Sequence, residues 1–535
     1  MRASPSLRPR EANHQPLTPV TFLWCAAAAY PDKVAVIDGD ERLTYREFEQ
    51  FTRRMATMLR GYGISPGDVV SVLAPSSKAM LAAHFAVPMT GAVLNTINTR
   101  LDVQAMAYIL GHAESRLLIA DAAYHETVTQ ALRSLQGDCQ VVWINARSLP
   151  AGAAAGAPLD ELISRSAPAQ SQEISDEWQP ICINYTSGTT GQPKGVVYHH
   201  RGAFLNSIGN VLALSLSADT VYLWVVPMFH CNGWMHPWAV TAAAGTHVCL
   251  DRVDPAEILR SLAEHRVSHM ACAPVVLYML INHPDFAQFQ RSRTVRIATG
   301  GAAPTAHLIE KLEQAGFELI HLYGLTESYG PATLCATPPE LAEASAEEKA
   351  RHLARQGLPH VTAGNVRVVD SNNNELPWDG TSMGEVHLAG NTLMAGYYRD
   401  DAATEAAFAG GWFHSGDLAV RHPNGQIEIR DRAKDIIISG GENIASLEVE
   451  SVLQTHPHVL FAAVVPMADE KWGEVPCAFL ELKAEAGPVS EGELRLFCRE
   501  RLAHFKVPRK FLFTQLPRTA SGKIQKYLLR AQLCG

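Results

Sequence analysis

The chain has 535 residues, of which 47% are hydrophobic, so it can bury large apolar cores, and its length predicts at least two domains. Its 45 Lys and Arg residues are outnumbered by 54 Asp and Glu residues, which gives a formal net charge of −9. This charge offers no overall attraction for nucleic acid or for an anionic membrane surface. We therefore expect no nucleic-acid partner, and any polyanionic ligand must be held by a local site.

Signals for targeting and for disulfide bonding are weak. The longest apolar stretches, at 20–30 and 221–229, are well short of the roughly 18 residues that a membrane-spanning helix needs. The basic N-terminus is not followed by an apolar segment, and the C-terminal AQLCG matches no peroxisomal tripeptide. We therefore expect a cytoplasmic protein without an integral membrane segment. The ten cysteines form no CxxC pair and show no metal-ligand spacing with histidines, so reduced, packed thiols are expected.

The first well-specified element is a helix over 44–63. Thr44 and Glu47 match a capping box, in which the side chain of each residue accepts a hydrogen bond from the backbone N–H of the other. Apolar residues from Phe48 to Leu59 recur at helical spacing, and two glycines follow them. The pattern therefore predicts an amphipathic helix that is capped at its start and stopped by glycine.

Short β-branched runs alternate with helical runs through most of the chain. The run at 69–75 predicts a strand, the run at 79–87 predicts a helix, and the alternation recurs at 256–283 and 295–322. Strands that alternate with helices predict an α/β fold with layered, largely parallel sheets.

The pattern of predicted strands and helices changes twice towards the end of the sequence. From about 365 it consists of short strand-like runs separated by turns, which predicts a β-rich subdomain. After 445 helical and strand patterns mix, and Ser490 with Glu493 matches a second capping box. We expect a large domain over 1–431, a hinge over 432–435 and a small α+β domain over 436–535.

The segment YTSGTTGQPKG at 185–195 has the composition of a loop that wraps phosphate oxygens. Its small residues allow close approach of backbone N–H groups, its hydroxyls donate hydrogen bonds, and Lys194 supplies positive charge. A Walker loop leads from Gly-Lys-Ser/Thr into a helix, whereas here Pro193 precedes the lysine and β-branched residues follow it. The loop is therefore expected to join two strands. The alternative is a hairpin that binds no ligand, but such a hairpin would have no need of the four hydroxyl residues in this segment.

This segment resembles the signature loop of the adenylate-forming superfamily, which includes acyl-CoA synthetases, peptide-synthetase adenylation domains and firefly luciferase. Five further motifs follow in family order and extend the resemblance over nearly the whole chain: GGAAP at 300–304, YGLTES at 323–328, HSGDLA at 414–419, IRDRAKDIIISGGEN at 429–443 and PRTASGKIQK at 517–526. The resemblance implies that the nucleotide is bound by Thr186, Ser187, Gly188, Thr189, Thr190, Lys194, Gly301, Ala302, Ala303, Tyr323, Gly324, Asp417 and Arg432.

The resemblance also assigns catalytic roles. It implies that Thr326 contacts phosphate, that Glu327 binds the Mg²⁺ that bridges ATP, and that Lys523 reaches the reacting carboxylate and the α-phosphate. These residue types suit the reaction, because a carboxylate that attacks an anionic phosphate needs cations to cancel the repulsion. In the family the small domain then swings about the hinge, here Lys434, and a glycine loop lines the channel for coenzyme A. Here that loop contains Gly440 and Gly441.

The acid-binding pocket is expected around PMFHCNGW at 227–234. There His230 matches the family's aromatic or histidine gate beside the acyl carbonyl, with a buried structural histidine as the alternative. Trp234 suggests a pocket of limited depth, although a rotated indole would also fit the wall of a long tunnel. The other residues expected at the acyl end are Cys231, Ala302, Ala303, Gly324 and Pro331.

The sequence thus predicts an ATP-dependent acid:CoA ligase that converts a short- or medium-chain carboxylic acid to its acyl-CoA through an acyl-adenylate, with release of AMP and pyrophosphate. An aryl-CoA ligase for benzoate- or cinnamate-like acids and a methylthioalkanoate-CoA ligase are alternatives. A peptide-synthetase module is disfavoured because no carrier domain follows Lys523, and a catalytically inactive nucleotide-binding regulator is disfavoured because all five polar motif residues are present. The expected ligands are ATP, Mg²⁺, coenzyme A and a small acid, and a homodimer is possible.

Overall fold

A computed structural model describes residues 10, 12–135, 137–170, 174–186, 192–289, 293–300, 304–483, 487–518 and 524–534. Strands and helices alternate along most of the described chain, which confirms the predicted α/β class. Among these residues no helix is both long and apolar enough to cross a lipid bilayer. The nine cysteines whose side chains are described are all free thiols, as expected.

The strands, in chain order, are β1 (Val34–Asp38), β2 (Glu41–Thr44), β3 (Val69–Leu73), β4 (Val93–Thr96), β5 (Ser115–Asp121), β6 (Gln140–Ile144), β7 (Ala157–Pro158), β8 (Pro180–Thr186), β9 (Lys194–His199), β10 (Val221–Leu223), β11 (Thr246–Val248), β12 (His269–Cys272), β13 (Val295–Gly300), β14 (Phe317–Leu325), β15 (Gly330–Ala336), β16 (Leu358–Pro359), β17 (Asn365–Val369), β18 (Met383–Ala389), β19 (Gly396–Tyr397), β20 (Phe413–Arg421), β21 (Ile427–Arg432), β22 (Ile437–Ser439), β23 (Glu442–Ile444), β24 (Val459–Asp469), β25 (Gly473–Leu482) and β26 (Lys510–Phe513).

The α-helices are α1 (Val20–Ala29), α2 (Tyr45–Gly61), α3 (Lys78–Met89), α4 (Val103–His112), α5 (His125–Ser134), α6 (Leu159–Arg165), α7 (His200–Ala213), α8 (Cys231–Trp234), α9 (His236–Ala242), α10 (Pro255–Glu264), α11 (Pro274–Ile281), α12 (Ala306–Gln314), α13 (Ala346–Leu353), α14 (Asp401–Ala407), α15 (Ser446–Gln454), α16 (Glu491–Arg499) and α17 (Lys526–Cys534).

Two large sheets carry most of the chain before residue 400. A nine-stranded sheet has the order β16-β15-β14-β13-β12-β10-β11-β1-β2, and an eight-stranded sheet has the order β19-β9-β8-β4-β3-β5-β6-β7. The inner strands of both sheets pair in parallel, as the alternation of strands and helices predicts. Antiparallel pairs occur towards the sheet edges, including β8 with β9 and β14 with β15. The carboxyl ends of β8 and β14 are where the predicted motifs begin.

Helix α2 shows why the local sequence specifies its element. The Thr44 hydroxyl accepts a hydrogen bond from the Glu47 N–H, and the Glu47 carboxylate accepts one from the Thr44 N–H, which is the predicted capping box. Phe48, Met55 and Leu59 are fully buried on one face of the helix. Burial of each such side chain contributes roughly 1.5–3 kcal/mol, so the apolar stripe rather than helix propensity anchors the element.

The β-rich part and the last part of the chain form separate sheets. β17, β18, β20 and β21 form a four-stranded antiparallel sheet, in agreement with the strand-like runs after 365. Beyond it, β22 to β26 form another sheet that is covered by α15 and α16 and has its own apolar cluster around Val449, Leu453 and Leu480. Strand β26 lies in the region after 445 where mixed helical and strand patterns are predicted, whereas α17 had no clear signal and was missed.

Only one of the two hydrogen bonds of the second predicted capping box is present. The Ser490 hydroxyl accepts a hydrogen bond from the Glu493 N–H at 3.2 Å and begins α16 as predicted. The reciprocal bond is replaced by a contact of the Glu493 carboxylate with the His456 ring, 3.5 Å away. A tertiary partner therefore competes successfully with the local one.

Candidate active site

The predicted phosphate loop connects two neighbouring strands. Thr186 is the last residue of β8 and Lys194 is the first residue of β9, and the two are directly paired in an antiparallel register. This confirms that the loop leads into a strand rather than into a helix, as the proline before Lys194 predicts. Ser187, Gly188, Thr189 and Thr190 lie outside the described residues.

A chain of contacts links Lys194 to Glu327 through a tyrosine. The Lys194 ammonium lies 4.8 Å from the centre of the Tyr397 ring and 3.5 Å from a carboxylate oxygen of Asp400. The Tyr397 hydroxyl donates a hydrogen bond of 2.8 Å to Oε1 of Glu327. Burial and the neighbouring Glu327 carboxylate raise the pKa of Tyr397, so the phenol stays protonated and acts as a donor. The predicted cation and the predicted metal ligand therefore face the same region beside the loop.

Thr326 lies next to the start of the predicted acyl pocket. It begins a short turn after β14, and its carbonyl accepts a hydrogen bond of 2.7 Å from the Tyr198 hydroxyl. Its hydroxyl oxygen is 3.3 Å from the sulfur of Cys231. Burial raises the pKa of this thiol, but His230 and Thr326 outweigh burial and hold the pKa below its usual value. The structure thus brings His230, Cys231 and Thr326 together.

The segment Cys231–Met235 has a left-handed backbone. The φ values of Cys231, Asn232, Gly233, Trp234 and Met235 are 47°, 49°, 56°, 58° and 66°. For residues other than glycine this conformation costs about 1–2 kcal/mol each, and such strain concentrates at functional sites.

Two buried asparagines hold this left-handed segment in place. The Asn184 amide donates to the Asn232 side-chain oxygen at 2.7 Å, and the Asn210 amide donates to the Trp234 carbonyl at 3.1 Å. The backbone conformation of this segment fixes the direction of the Trp234 side chain. The Asn-Gly pair at 232–233 is a turn signal in the sequence, from which a left-handed backbone could have been expected.

The Trp234 indole packs against two glycines at strand ends. A Cβ atom added to Gly330 would lie 3.3 Å from the indole Cδ1, and one added to Gly300 would lie 3.8 Å from its outer ring. Pro331 is buried beside it, and its carbonyl accepts hydrogen bonds from Asn206 at 3.1 Å and from His360 at 2.9 Å. Gly324 pairs with Pro331 across β14 and β15, and its backbone passes so close to Gly330 that no side chain fits.

A buried carboxylate is fixed from two sides at the meeting point of three strands. Asp417 is 4% exposed, accepts a hydrogen bond of 2.8 Å from the Tyr323 hydroxyl, and lies 3.4 Å from Nε of Arg432. Asp417 and Arg432 are direct partners across β20 and β21. Burial and Asp417 raise the pKa of Tyr323, which keeps its hydroxyl protonated. The three residues form a rigid carboxylate site with one adjacent cation.

The predicted hinge residue Lys434 is exposed, and the acidic residues on either side of it are held by contacts with α15 and α17. Asp435 is buried and forms an ion pair with Arg530 of α17. Asp431 is buried as well, and its carboxylate accepts a hydrogen bond from the N–H of Ser446, at the start of α15. Two carboxylates that flank Lys434 therefore contact the last part of the chain.

The two glycines predicted for the coenzyme A channel form the turn between β22 and β23. Gly440 has φ of 61°, donates its N–H to the Trp472 carbonyl at 2.8 Å, and lies so close to the indole that a Cβ atom would clash at 2.6 Å. Gly441 has φ of 89° and has open space where its Cβ would be. Of the pair, only Gly441 leaves room for a ligand.

Four other predicted residues lie outside the described part of the chain: Gly301, Ala302, Ala303 and Lys523. No motif pointed to Tyr397, which contacts both Lys194 and Glu327, or to Asp400, which contacts Lys194. Both belong to the run GYYRD at 396–400, which pairs with β9 through β19. A tyrosine and an acid in a turn-rich stretch carry little signal until the strand pairing is known.

Comparison with known proteins identifies the class. The model of the AMP-binding enzyme family matches residues 23–398, and that of the AMP-binding enzyme C-terminal domain matches residues 448–523. The chain therefore belongs to the AMP-binding enzyme family, the adenylate-forming family predicted from its motifs. Its predicted substrates ATP and coenzyme A agree with this membership.

Curated relatives narrow the class to acid:CoA ligases. A butyrate–CoA ligase of Arabidopsis thaliana is 43% identical over 97% of this chain and 94% of its own length. An acetate/butyrate–CoA ligase and a benzoate–CoA ligase of the same plant are each 41% identical over 97% of this chain, covering 95% and 94% of their own lengths. The predicted enzyme class, an AMP-forming acid:CoA ligase, is confirmed.

Solved structures agree with this fold. The o-succinylbenzoate CoA synthetase of Bacillus subtilis, in complex with its acyl-adenylate intermediate, has a TM-score of 0.81 and 28% identity over 95% of this chain and 97% of its own. A benzoate CoA ligase of Burkholderia xenovorans has a TM-score of 0.84 and 25% identity, over 96% of this chain and 98% of its own.

The predicted cytoplasmic location is wrong by the same comparison. The three plant ligases named above are peroxisomal by name, as is a trans-cinnamate:CoA ligase of Petunia hybrida. The prediction relied on two absences, that of an apolar signal segment and that of a recognised peroxisomal tripeptide in AQLCG. Such a segment reports on insertion into a membrane, whereas peroxisomal addresses are read by receptors and need no apolar stretch.

Proposed function

We propose that the protein activates a short-chain aliphatic carboxylic acid, with medium-chain acids as poorer substrates, and transfers the acyl group to coenzyme A. The observation that carries this proposal is the position of the Trp234 indole. The left-handed backbone aims this side chain at Gly330 and Gly300. A large, flat side chain held by a rigid segment closes the end of a pocket better than it lines a long tunnel.

The start of the proposed pocket supports the same assignment. Thr326 and Cys231 lie 3.3 Å apart, and Gly300 and Gly330 mark the ends of the strands that flank them. An acyl chain that begins near Thr326 therefore meets the indole after a short distance. The names of the acetate/butyrate and butyrate ligases, among the relatives of this chain, also support a short acid.

An aryl acid is the second candidate. The benzoate–CoA ligase and the trans-cinnamate:CoA ligase are both 41% identical to this chain, nearly as much as the butyrate ligase. A flat ring stacked on the Trp234 indole would be stabilised by about 0.5–1.5 kcal/mol beyond its burial. Overall identity does not separate the two acids, so the pocket must be tested directly.

Glu327 and Lys194 are proposed to act on the phosphates of ATP. Glu327 offers a carboxylate next to the predicted phosphate loop, and one carboxylate together with phosphate oxygens is the ligand set that Mg²⁺ commonly uses. Bound there, Mg²⁺ would neutralise phosphate charge. Lys194, held between Tyr397 and Asp400, would contact the β- and γ-phosphates, and the Thr326 hydroxyl would contact the α-phosphate.

The remaining assignments concern the ribose and the second half-reaction. Asp417 is proposed to accept hydrogen bonds from both ribose hydroxyls, with Arg432 beside it, because a buried carboxylate has oxygens for two donors. Lys523 is proposed to assist adenylation only. Gly441 is proposed to line the channel for coenzyme A, since it has open space above its Cα.

We further propose that residues 1–431 form the large domain, 432–435 the hinge and 436–535 a mobile small domain. The separate sheet and apolar cluster of the last part of the chain support this division. The Lys434 side chain is exposed between Asp431 and Asp435, and its carbonyl accepts a hydrogen bond of 3.3 Å from Arg530 of α17, a bond that a swing about this residue would break. A homodimer stays a prediction.

A kinetic survey tests the choice of acid. Formation of acyl-CoA and release of pyrophosphate are measured for acetate, propanoate, butanoate, hexanoate, octanoate, benzoate and cinnamate. We expect kcat/KM to be highest among the acids up to butanoate and to fall steeply for octanoate. A maximum at benzoate or cinnamate would establish the aryl candidate instead.

The variant Trp234→Ala tests the role of the indole. Removal of the side chain is expected to move the maximum of kcat/KM towards longer or bulkier acids, by at least tenfold for octanoate relative to acetate. Trp378→Ala is the matched control, because Trp378 is exposed in the β-rich part of the chain. An unchanged acid profile in Trp234→Ala would remove the indole from the pocket wall.

A further inference from the structure

A group of three metal-ligand side chains lies in the four-stranded sheet, outside the site described above. Glu385 and His387 are two residues apart on β18, so their side chains emerge from the same face. His414 is the direct partner of His387 on the neighbouring strand β20. One potential ligand atom from each residue lies within 4.8 Å of the other two.

The distances within this group resemble those of a coordination site. Oε2 of Glu385 is 3.4 Å from Nε2 of His387 and 3.7 Å from Nδ1 of His414. In tetrahedral zinc sites, bond lengths of about 2.0–2.2 Å place neighbouring ligand atoms roughly 3.4 Å apart. Both contacts are longer than a good hydrogen bond of about 2.7–3.2 Å. The carboxylate and the two rings are therefore close to ligand positions without being well bonded to one another.

The second ring nitrogen of His414 fixes its tautomer. Nε2 of His414 is 3.0 Å from the carbonyl oxygen of Ala409, and only a protonated Nε2 can donate to that acceptor. Nδ1 then carries a lone pair that faces the Glu385 carboxylate. Two acceptors facing each other need a cation or a proton between them, and a carbonyl bond to the outer nitrogen is how proteins orient metal-binding histidines.

The side chains of His387 and Glu385 are also arranged as metal ligands would be. His387 is only 2% exposed, and among the described residues its buried Nε2 makes no hydrogen bond of good geometry, with the Glu385 carboxylate 3.4 Å away. A buried polar atom without a partner is rare and calls for a ligand. The second oxygen of Glu385 accepts a hydrogen bond of 3.0 Å from the N–H of Gly416, which orients the carboxylate. Glu385 and His414 are each about one-third exposed, which gives solvent access.

We propose that Glu385, His387 and His414 bind one divalent transition-metal ion, with Zn²⁺ as the ion of best fit and water in the fourth position. Two imidazoles and one carboxylate suit Zn²⁺ and neighbouring late first-row metals, and exclude Mg²⁺, which prefers oxygen ligands. The ion would link β18 to β20, and its ligand His414 on β20 precedes Asp417 by three residues. The site is distinct from Glu327, where Mg²⁺ is proposed.

One neighbour opposes the ion. Nη2 of Arg367 lies 3.4 Å from Nδ1 of His387, the nitrogen that carries a proton when Nε2 binds a metal. The guanidinium is held in part by Asn373, at 2.6 Å, and by the Trp412 ring, at 4.2 Å. Arg367 therefore weakens the site, and Arg367→Gln is expected to strengthen it because an amide oxygen can accept the Nδ1 proton.

The test uses the full-length protein, stripped with a chelator and then titrated with Zn²⁺ against a chromophoric competitor. The wild type is expected to bind one tight equivalent. His387→Gln and His414→Gln are expected to bind it at least tenfold more weakly, and Arg367→Gln more tightly. His422→Gln is the matched control, since His422 pairs with a single carboxylate, Glu428, on the same sheet and is expected to leave binding unchanged.

Three results would overturn the proposal. The first is the absence of a tight equivalent in the wild type, and the second is its full retention in both His387→Gln and His414→Gln. The third is a thiolate-to-metal charge-transfer band when Co²⁺ replaces Zn²⁺, because that band would assign the ion to cysteines. If Arg367→Gln bound Zn²⁺ no more tightly, Nε2 of His387 would not be the ligand atom. Circular dichroism confirms that each variant is folded.

Discussion

The Tyr397 hydroxyl donates a hydrogen bond to Glu327 across 2.8 Å, while the Lys194 ammonium lies 4.8 Å from the centre of the same ring. One phenol thus contacts both the proposed metal ligand and the proposed phosphate ligand. A hydroxyl donor fixes the direction of the carboxylate, and the ring face restrains the lysine through cation–π attraction. Tyr397 therefore positions two groups that the sequence places far apart.

Tyr397→Phe separates these two effects, because phenylalanine keeps the ring under Lys194 and removes only the hydrogen bond. A hydrogen bond to a charged group contributes about 1.5–3 kcal/mol, and Glu327 is half-buried, so a loss on the order of tenfold in kcat/KM for ATP is expected. The measurement is pyrophosphate release as ATP and Mg²⁺ are varied. The Mg²⁺ concentration for half-maximal rate is expected to rise.

Tyr398→Phe is the matched control for this variant. The Tyr398 ring packs edge-on against His112, 5.7 Å away between ring centres, rather than towards Glu327. Its kinetics are expected to match the wild type. Equal losses in both variants would show that the segment 396–400 as a whole, and not the bond to Glu327, affects the rate.

The variant Lys523→Ala tests the division between the two half-reactions. Loss of the cation that is proposed to reach the reacting carboxylate is expected to slow adenylation by roughly 10²–10³-fold, the range for removal of one electrostatic stabiliser. Thioester formation from supplied acyl-adenylate is expected to keep most of its rate. Single-turnover assays of each half-reaction make the comparison, and an equal loss in both would contradict the assignment.

Much of the fold could be predicted because its signals are local. The capping box at Thr44, the buried stripe that follows it, and the strand–helix alternation all come from short segments. Helix α17 was missed because it gains order from tertiary contacts: Lys526 bonds to Ser446, and Arg530 pairs with Asp435. Nothing within the helix itself specifies these partners.

The active-site residues likewise divide into those that short motifs predicted and those that depend on long-range contacts. The motifs predicted Lys194, Glu327, Asp417 and Arg432 because they follow one another in family order, although each short motif is weak by itself. Tyr397 becomes relevant only when β19 pairs with β9, and the left-handed course of Cys231–Met235 depends on asparagines far away in sequence. Long-range pairing and backbone strain were therefore the parts that the sequence did not reveal.

The variant Asp417→Asn tests the proposed ribose site. An amide keeps the shape but offers one acceptor instead of two, and it leaves Arg432 without its carboxylate. Because the ribose does not change during the reaction, its contacts stabilise ground state and transition state alike, so KM for ATP is expected to rise about tenfold or more with kcat little changed. A fall in kcat at unchanged KM would place Asp417 in the chemical step.

The variant Lys526→Met tests a buried ion pair between α17 and α15. Nζ of Lys526 is 2.7 Å from Glu450, and the two side chains are 14% and 8% exposed. Burial raises the pKa of Glu450, and Lys526 opposes that shift. Without the lysine the pKa rises further, so the folded state holds its proton over a wider range than the unfolded chain. Stability of the variant must then fall as pH rises above the unfolded value of about 4.3.

We therefore expect Lys526→Met to be strongly destabilised at pH 8, by roughly 3–5 kcal/mol for a fully buried charge, and to recover part of that loss at pH 5. Lys506→Met is the control, because its partner Glu448 is 44% exposed and such pairs contribute only about 0–1 kcal/mol. Thermal unfolding of both variants and the wild type at the two pH values gives the comparison. If Lys526→Met lost the same stability at both pH values, the loss would come from packing and not from the unpaired Glu450 carboxylate.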